Sequence, residues 1–338
     1  MSILVTGGTG YIGSHTVVEL IKDGKDVVIV DNLVNSKMCV LDRIESIAGV
    51  RPKFYKCDLL DKDSLDAVFA ENPDIDSVIH FAGLKAVGES CAMPLRYYHN
   101  NLTGTFNLVD CMQKYGVNRI VFSSSATVYG LPESVPIKED FPLSTTNPYG
   151  ETKLMIERIL KDCCSANPKL SVCILRYFNP IGAHESGKMG EDPKGIPNNL
   201  MPYIARVAAG KLECLSVFGD DYETADGTGV RDYIHVVDLA LAHLKAIDFT
   251  ADMNGIDYFN IGTGNGYSVL QMVKAFGEAW GADVNYKIAP RRPGDIAECY
   301  ADATKAKEIL GWVAERDLAK MCEDTARWQR MNPDGYPD

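Results

Sequence analysis

Through the first half of the chain, short apolar runs alternate with longer stretches whose apolar residues recur at helical spacing. The runs fall at 3–5, 27–30, 53–56, 77–81, 119–123 and 172–176, and helical patterns fill the intervals, among them 101–115 and 152–164. Such alternation predicts an α/β fold, a doubly wound parallel sheet, because parallel neighbours need a crossover and the crossover is usually a helix. After Pro180 the texture changes to loops rich in Gly, Pro and Asn, with Met189-Gly190-Glu191-Asp192-Pro193 and Gly195-Ile196-Pro197-Asn198-Asn199. A second, smaller α/β unit is expected to begin there. Arg231-Asp232-Tyr233-Ile234-His235 leads into a helical pattern over 236–248 and then an apolar strand, Tyr258-Phe259-Asn260-Ile261, which reads as chain returning to the first sheet. The expected division is 1–180, with 231–262 returning to it, and 181–338.

The first strand carries specific chemistry. In Ile3-Leu4-Val5-Thr6-Gly7-Gly8-Thr9-Gly10-Tyr11-Ile12-Gly13 a strand runs straight into a helix. The spacing of Gly7, Gly10 and Gly13 lets the backbone turn tightly, approach a pyrophosphate and pack the helix closely on the sheet, as in Rossmann folds. Unpaired N–H groups at the helix start then favour anionic oxygens. The next apolar run, Asp26-Val27-Val28-Ile29-Val30, ends in Asp31, where a carboxylate accepts hydrogen bonds from adenosine ribose hydroxyls. A phosphate on that ribose would meet Asp31 as a like charge, so NAD is expected rather than NADP. Asp58 follows the third strand and Phe81-Ala82-Gly83 the fourth, at the carboxyl ends of parallel strands where ligands bind.

Composition narrows the class. With 338 residues, 46% of them hydrophobic, the chain can form one large or two ordinary cores. No apolar stretch is long enough to span a bilayer, and a strand beginning three residues in leaves no room for a signal peptide. A cytoplasmic protein is expected. The ten cysteines (39, 57, 91, 111, 163, 164, 173, 214, 299 and 322) include no C-x-x-C, and the six histidines form no pair at ligand spacing. No metal is expected. A net charge of −12 argues against a nucleic-acid surface, so any anionic ligand must meet a local basic cluster.

A second constellation carries the reaction chemistry. Ser123-Ser124-Ser125 ends a strand, and Tyr149-Gly150-Glu151-Thr152-Lys153 follows Asn147-Pro148 at a helix start. Positions i and i+4 share a helix face, so Tyr149 and Lys153 point into one site. Phenol titrates near 10, and bringing it to about 7 asks for roughly 4 kcal/mol in favour of phenolate. One cation about 6 Å away at an effective dielectric near 20 supplies under about 3 kcal/mol. Lys153 alone falls short. The positive ring of oxidised NAD and a hydroxyl donor such as Ser125 are expected to make up the difference.

Together these residues resemble the extended short-chain dehydrogenase/reductases, and within them the UDP-glucose (UDP-galactose) 4-epimerase family. The likeness runs nearly end to end. It is carried by Val5 to His15, by Val78-Ile79-His80-Phe81-Ala82-Gly83-Leu84-Lys85-Ala86-Val87-Gly88-Glu89-Ser90, and by Phe122-Ser123-Ser124-Ser125-Ala126-Thr127-Val128-Tyr129-Gly130. Arg176-Tyr177-Phe178-Asn179-Pro180 and Asp226-Gly227-Thr228-Gly229-Val230-Arg231-Asp232-Tyr233-Ile234-His235-Val236 complete it.

The resemblance implies roles. Tyr149 would take the proton of the sugar 4-hydroxyl while the C4 hydride passes to NAD, Lys153 would hold the nicotinamide ribose and depress the tyrosine pKa, and Ser125 would hydrogen-bond the reacting oxygen. Gly7, Gly10, Tyr11, Ile12, Gly13, Asp31, Asn32, Ser36, Asp58, Leu59, Phe81, Ala82, Lys85, Asn100 and Phe178 would form the NAD cleft with Ser125, Tyr149 and Lys153. Inverting a stereocentre obliges the 4-keto sugar to turn over while its nucleotide stays put, so binding energy belongs on UDP rather than on the hexose. Arg231 and Arg292 can grip the diphosphate and Asp295 the uridine ribose. Asn179, Asn199, Leu200, Ser216, Phe218 and Tyr233 carry over as further substrate contacts beside Lys85, Ser125 and Tyr149. Residues 1–180 would then be the NAD-binding domain and 181–338 the UDP-sugar domain.

Cys299 departs from the tyrosine of many bacterial relatives. Its smaller volume leaves room for a substituent on sugar C2, so activity on UDP-GlcNAc and UDP-GalNAc is expected unless Tyr300 fills the gap. Three rival readings stay in view. Dehydratases need an acid and a base where this chain has Ala126 and Thr127, and a decarboxylase wants a carboxylate-recognising Arg that is not seen in this region. A non-catalytic NAD-binding module would not need the intact Ser125, Tyr149 and Lys153. Since every hydride returns, NAD is expected to be retained tightly. The resemblance also implies a homodimer through helices of the first domain, with 101–115 offering Leu102, Phe106, Leu108, Val109 and Met112, and 152–164 a second face; the same residues can equally pack inward.

Overall fold

A computed structural model describes residues 1–292 and 295–337 of the chain; Pro293 and Gly294, from the Arg291 to Asp295 segment, and Asp338 lie outside the described residues. The strands of the first half are β1 Ser2–Thr6, β2 Asp26–Asp31, β3 Lys53–Lys56, β4 Ile75–His80, β5 Arg119–Ser125 and β6 Ser171–Tyr177. Later come β7 Asn179–Ile181, β8 Leu215–Phe218, β9 Val230–His235, β10 Gly255–Ile261, β11 Gly266–Ser268, β12 Tyr286–Ala289 and β13 Glu298–Cys299. The helices are α1 Tyr11–Lys22, α2 Cys39–Ala48, α3 Lys62–Glu71, α4 Val87–Ala92, α5 Pro94–Tyr98 and α6 Gly104–Tyr115. They continue with α7 Pro148–Ala166, α8 Leu200–Ala208, α9 Val236–Phe249, α10 Val269–Trp280 and α11 Leu318–Met331.

The large sheet has seven strands in the order β10-β6-β5-β4-β1-β2-β3, and every neighbouring pair is parallel. Both faces are covered, which is why its strands read as continuous apolar runs. Ile3, Val5, Ile29, Ile79, Val121, Leu175 and Phe259 pack on one side against α1, α2 and α9. Leu4, Val28, Val30, Val78, Ile120, Phe122 and Ile174 pack on the other against α3, α6 and α7. The chain leaves β1 in one direction for β2 and β3 and resumes on its other flank at β4. The crevice opens between the ends of β1 and β4, where the winding reverses.

The second unit is built on β11-β9-β13, with β7 pairing to β9, and on the parallel pair β8 and β12. Its core joins Ile204, Val217, Tyr233, Phe276 and Met321. His235 ends β9, and its Nδ1 accepts the Val237 N–H at 3.0 Å, capping α9. The chain thereby turns from the small sheet to the large one. Residues 231–235 sit in the small sheet, and the return to the large sheet begins at Val236.

α7 starts at Pro148, as the Asn147-Pro148 pair predicts: the Asn147 Oδ1 accepts the Gly150 N–H at 2.9 Å and proline suits the first turn. Over His99–Thr103 the backbone winds as a wide π turn, and regular α-helix starts only at Gly104. β10 begins at Gly255, ahead of the apolar stretch from 258. Leu108, Val109 and Met112 face inward, leaving Phe106 on the outside of α6. Among the described residues, no helix is long and apolar enough to cross a membrane, and no cluster of ligating side chains suits a metal.

Candidate active site

The turn after β1 leaves no room for side chains. Gly7 has φ +72, and a Cβ there would stand 2.9 Å from the Ala82 backbone N at the end of β4; a Cβ on Gly13 would stand 2.2 Å from the Gly7 oxygen. Glycine is required at both, and the result is a cradle of bare backbone. Gly10 is the N-cap of α1 and supplies no side-chain cap, so the first-turn N–H groups face the cradle uncapped. This geometry fits the pyrophosphate of a dinucleotide.

A cavity of about 530 Å³ continues from the cradle, lined by Gly7, Gly10, Tyr11, Ile12, Gly13, Asp31, Asn32, Ser36, Asp58, Leu59, Phe81, Ala82, Lys85, Asn100, Tyr149 and Lys153. Of the cofactor candidates, Ser125 and Phe178 alone are not on its wall. Asp31 is fixed at the end of β2: its carboxylate accepts from Leu33 N–H at 2.8 Å, Thr9 N–H at 3.2 Å and the Ser36 hydroxyl at 3.2 Å. The Asn32 amide donates to the Asp58 carboxylate at 3.0 Å. One continuous polar rim thus stands where adenosine ribose would lie. A second cavity, of about 260 Å³, lies behind Tyr11 between α8 and α11 and holds neither Tyr149 nor Lys153.

At the far end of the cleft, α7 presents Tyr149 and, one turn on, Lys153. Both are buried, at 6% and 5% exposure. The Lys153 ammonium donates to the Ser123 carbonyl at 2.7 Å and lies 6.0 Å from the Tyr149 ring centre. Burial pushes the Tyr149 phenol well above its usual 10, with Tyr177 adding to the rise and a hydrogen bond with Ser125 opposing it. Burial also pushes Lys153 down to about 8. Burial thus dominates at Tyr149 in the polypeptide by itself, where Lys153 alone was expected to fall short.

The substrate candidates form a band across the second unit. In register, Asn179 of β7 is opposite Tyr233 of β9, and Cys299 of β13 is opposite Arg231. Arg231 donates to the Val230 carbonyl at 2.8 Å. Burial holds the Tyr233 phenol up at about 12, with Arg231 and Arg292 pulling it down. Arg292 sits 5.0 Å over the Phe218 ring and pairs with Asp295 at 2.9 Å, so these three stand together beside Ser216 of β8. Asn199 stands just before α8 without a side-chain cap hydrogen bond, and its amide donates instead to the Glu191 carboxylate at 2.9 Å. Phe178 is buried with Val128 and Leu154, and Cys299 packs against that cluster.

Three of the cleft residues that were not singled out from the sequence make contacts that shape the site. Tyr177 is half-buried and hydrogen-bonded to both Tyr149 and Ser123; its place beside Phe178 at the end of an apolar run was the available signal. Glu191 pairs with Lys85 at 3.5 Å across the cleft mouth, a contact between residues 106 apart that no local pattern carries. Tyr336 brings the carboxyl-terminal tail onto the cleft wall: its carbonyl accepts from Lys37 at 2.7 Å and its N–H donates to Asp192 at 3.0 Å.

The family model described as GDP-mannose 4,6 dehydratase matches residues 4–325. A UDP-glucose 4-epimerase of Bacillus subtilis is 64% identical over 336 residues, covering 99% of each chain, and that of Haemophilus influenzae is 60% identical over 339 residues, covering both fully. The crystal structure of the Bifidobacterium longum UDP-glucose 4-epimerase in complex with NAD+ and UDP superposes with a TM-score of 0.96 at 55% identity, covering 99% of this chain and 100% of that one. Ala126 and Thr127, neither of which carries a titratable side chain, stand in the helical turn after β5. The chain belongs to the UDP-glucose 4-epimerase family of the extended short-chain dehydrogenase/reductases.

Proposed function

We infer that the chain interconverts UDP-galactose and UDP-glucose through a 4-ketopyranose, with NAD held in the glycine-lined cleft. The observation that supports this is that Tyr149 and Lys153 line that cleft, with Ser125 hydrogen-bonded to Tyr149 from behind its wall. NAD supplies the hydride acceptor at sugar C4 and, when oxidised, a positive ring beside the phenol. Tyr149 takes and later returns the 4-hydroxyl proton. Ser125 donates to the reacting oxygen, and Lys153 adds the second positive charge that a buried phenolate requires. Asp31, Asn32, Ser36 and Asp58 hold the adenosine end.

The second unit holds the nucleotide while the sugar turns. Arg231, Tyr233 and Asn179 lie side by side on β9 and β7, and Arg292 with Phe218 and Asp295 forms an exposed patch able to exchange its internal ion pair for a nucleotide. Tyr149→Phe in the NAD-loaded protein is expected to lower kcat by about a thousand-fold with the fold intact; full turnover would overturn the assignment.

Cys299 extends the reading to acetylated sugars. Its neighbour Tyr300 lies against Gly266, where a built Cβ would stand 3.1 Å from its ring, which supports leaving the C2 side of the sugar to Cys299. The wild-type protein should therefore turn over UDP-GlcNAc and UDP-GalNAc as well as the plain pair, and Cys299→Tyr should cost the acetylated pair about tenfold or more. Wild-type activity confined to the plain pair contradicts this.

The ten free cysteines suit a reducing compartment, and the reading places the enzyme in the cytoplasm. Leu95 at 72% exposure and Phe106 at 46% supply apolar surface on α5 and α6 for a homodimer. Sedimentation equilibrium should give twice the chain mass, falling to a single chain for Phe106→Glu. A monomeric wild type rejects the dimer.

A further inference from the structure

The three serines that end β5 each engage a different residue on the inward face of α7. Ser125 hydrogen-bonds Tyr149, the Ser123 carbonyl accepts from Lys153 at 2.7 Å, and the Ser124 hydroxyl donates to the Glu157 carboxylate at 2.5 Å. Glu157 is one turn beyond Lys153, as Lys153 is beyond Tyr149, so the three share a face. No part of the reaction scheme uses Glu157.

Glu157 is held with unusual care. Arg176 of β6 clasps it with Nε at 3.1 and 3.2 Å and Nη2 at 2.7 Å, and both side chains are 2% exposed. The other end of the guanidinium donates to the Tyr129 hydroxyl at 3.0 Å and the Glu139 carbonyl at 3.1 Å. A buried ion pair of this kind rarely stabilises a fold more than apolar residues of the same volume would. Its presence asks for another role.

That role follows from what surrounds Lys153. On its own helix stand Tyr149 and Glu157; β4 contributes His80, β6 contributes Tyr177 and Arg176, and α9 contributes His243. Both histidines are held neutral by burial, at about 3 and about 4. Among these groups Glu157 alone bears negative charge, and it is the one that opposes the burial of the Lys153 ammonium.

We propose that Glu157 is a positioning residue for the reaction, keeping Lys153 charged and α7 in register with β5, with Ser124 and Arg176 holding it in place. This rests on the reading of Tyr149 and Lys153 as the working pair. As pH rises through the Lys153 value the ammonium is lost and the rate falls, so removing the Glu157 charge moves that loss to lower pH.

The test uses NAD-loaded Glu157→Gln and the charge-balanced double variant Glu157→Gln/Arg176→Gln, which leaves no unpaired guanidinium to unfold the protein. NMR titration of isotope-labelled lysine side chains, with Lys153 identified by its disappearance in Lys153→Met, should place its midpoint about one pH unit lower than in wild type. The alkaline limb of kcat for UDP-galactose should move by the same amount at unchanged KM, and Glu157→Asp should restore it. A folded variant with an unmoved Lys153 midpoint, or a rate loss uniform across pH, overturns the proposal. A wild type that fails to epimerise UDP-galactose instead overturns the reading beneath it.

Discussion

Burial of a phenol and an ammonium one turn apart on α7 drives both toward their neutral forms, Tyr149 upward and Lys153 down to about 8. The proposed roles of Tyr149 and Lys153 need the opposite, a phenolate beside an ammonium. Much of the site answers that conflict. The end of β5 grips the inward face of α7, a hydroxyl from Ser125 meets the phenol, and positive charge is called for in the cleft before the base can work. On that proposal, activation of Tyr149 is tied to an occupied cofactor site, which suits a reaction that returns every hydride.

The fold divides the labour in a way the chemistry demands. The cleft at the ends of β1 and β4 is rigid, made of bare backbone at Gly7 and Gly13 and of a rim locked around Asp31. The band on β7, β9 and β13 lies in a separate sheet, so the nucleotide can be held by groups that take no part in bond making. Between them the chain crosses at His235, and Glu191 reaches back to Lys85 over the cleft mouth. Firm grip on the nucleotide and loose contact with the hexose is the arrangement that lets a ketone show both faces to one cofactor.

The parallel sheet was legible because both of its faces are buried, so Val27 to Val30 or Val172 to Leu175 need no alternation to be read as strands. Gly7, Gly13, Asp31, Tyr149 and Lys153 were legible because backbone clearance and helical spacing restrict which residues can stand there. Tyr177 was missed because its contact with Tyr149 depends on how β6 lies beside α7, and Glu191 because it meets Lys85 only after two units pack. The depth of burial at Tyr149 was not legible for a similar reason: a sequence gives the neighbouring charges but not the desolvation that raises the phenol. Tyr336 lies in a polar tail with no periodicity, and only the folded chain brings it to Asp192.

The central claim is that one carbon loses its hydride and regains the same one after the sugar has turned. UDP-galactose deuterated at sugar C4, incubated with the NAD-loaded protein in ordinary water until equilibrium, reads this directly. The account expects UDP-glucose carrying the deuterium at C4 without loss. Label appearing in the water in step with turnover would contradict it.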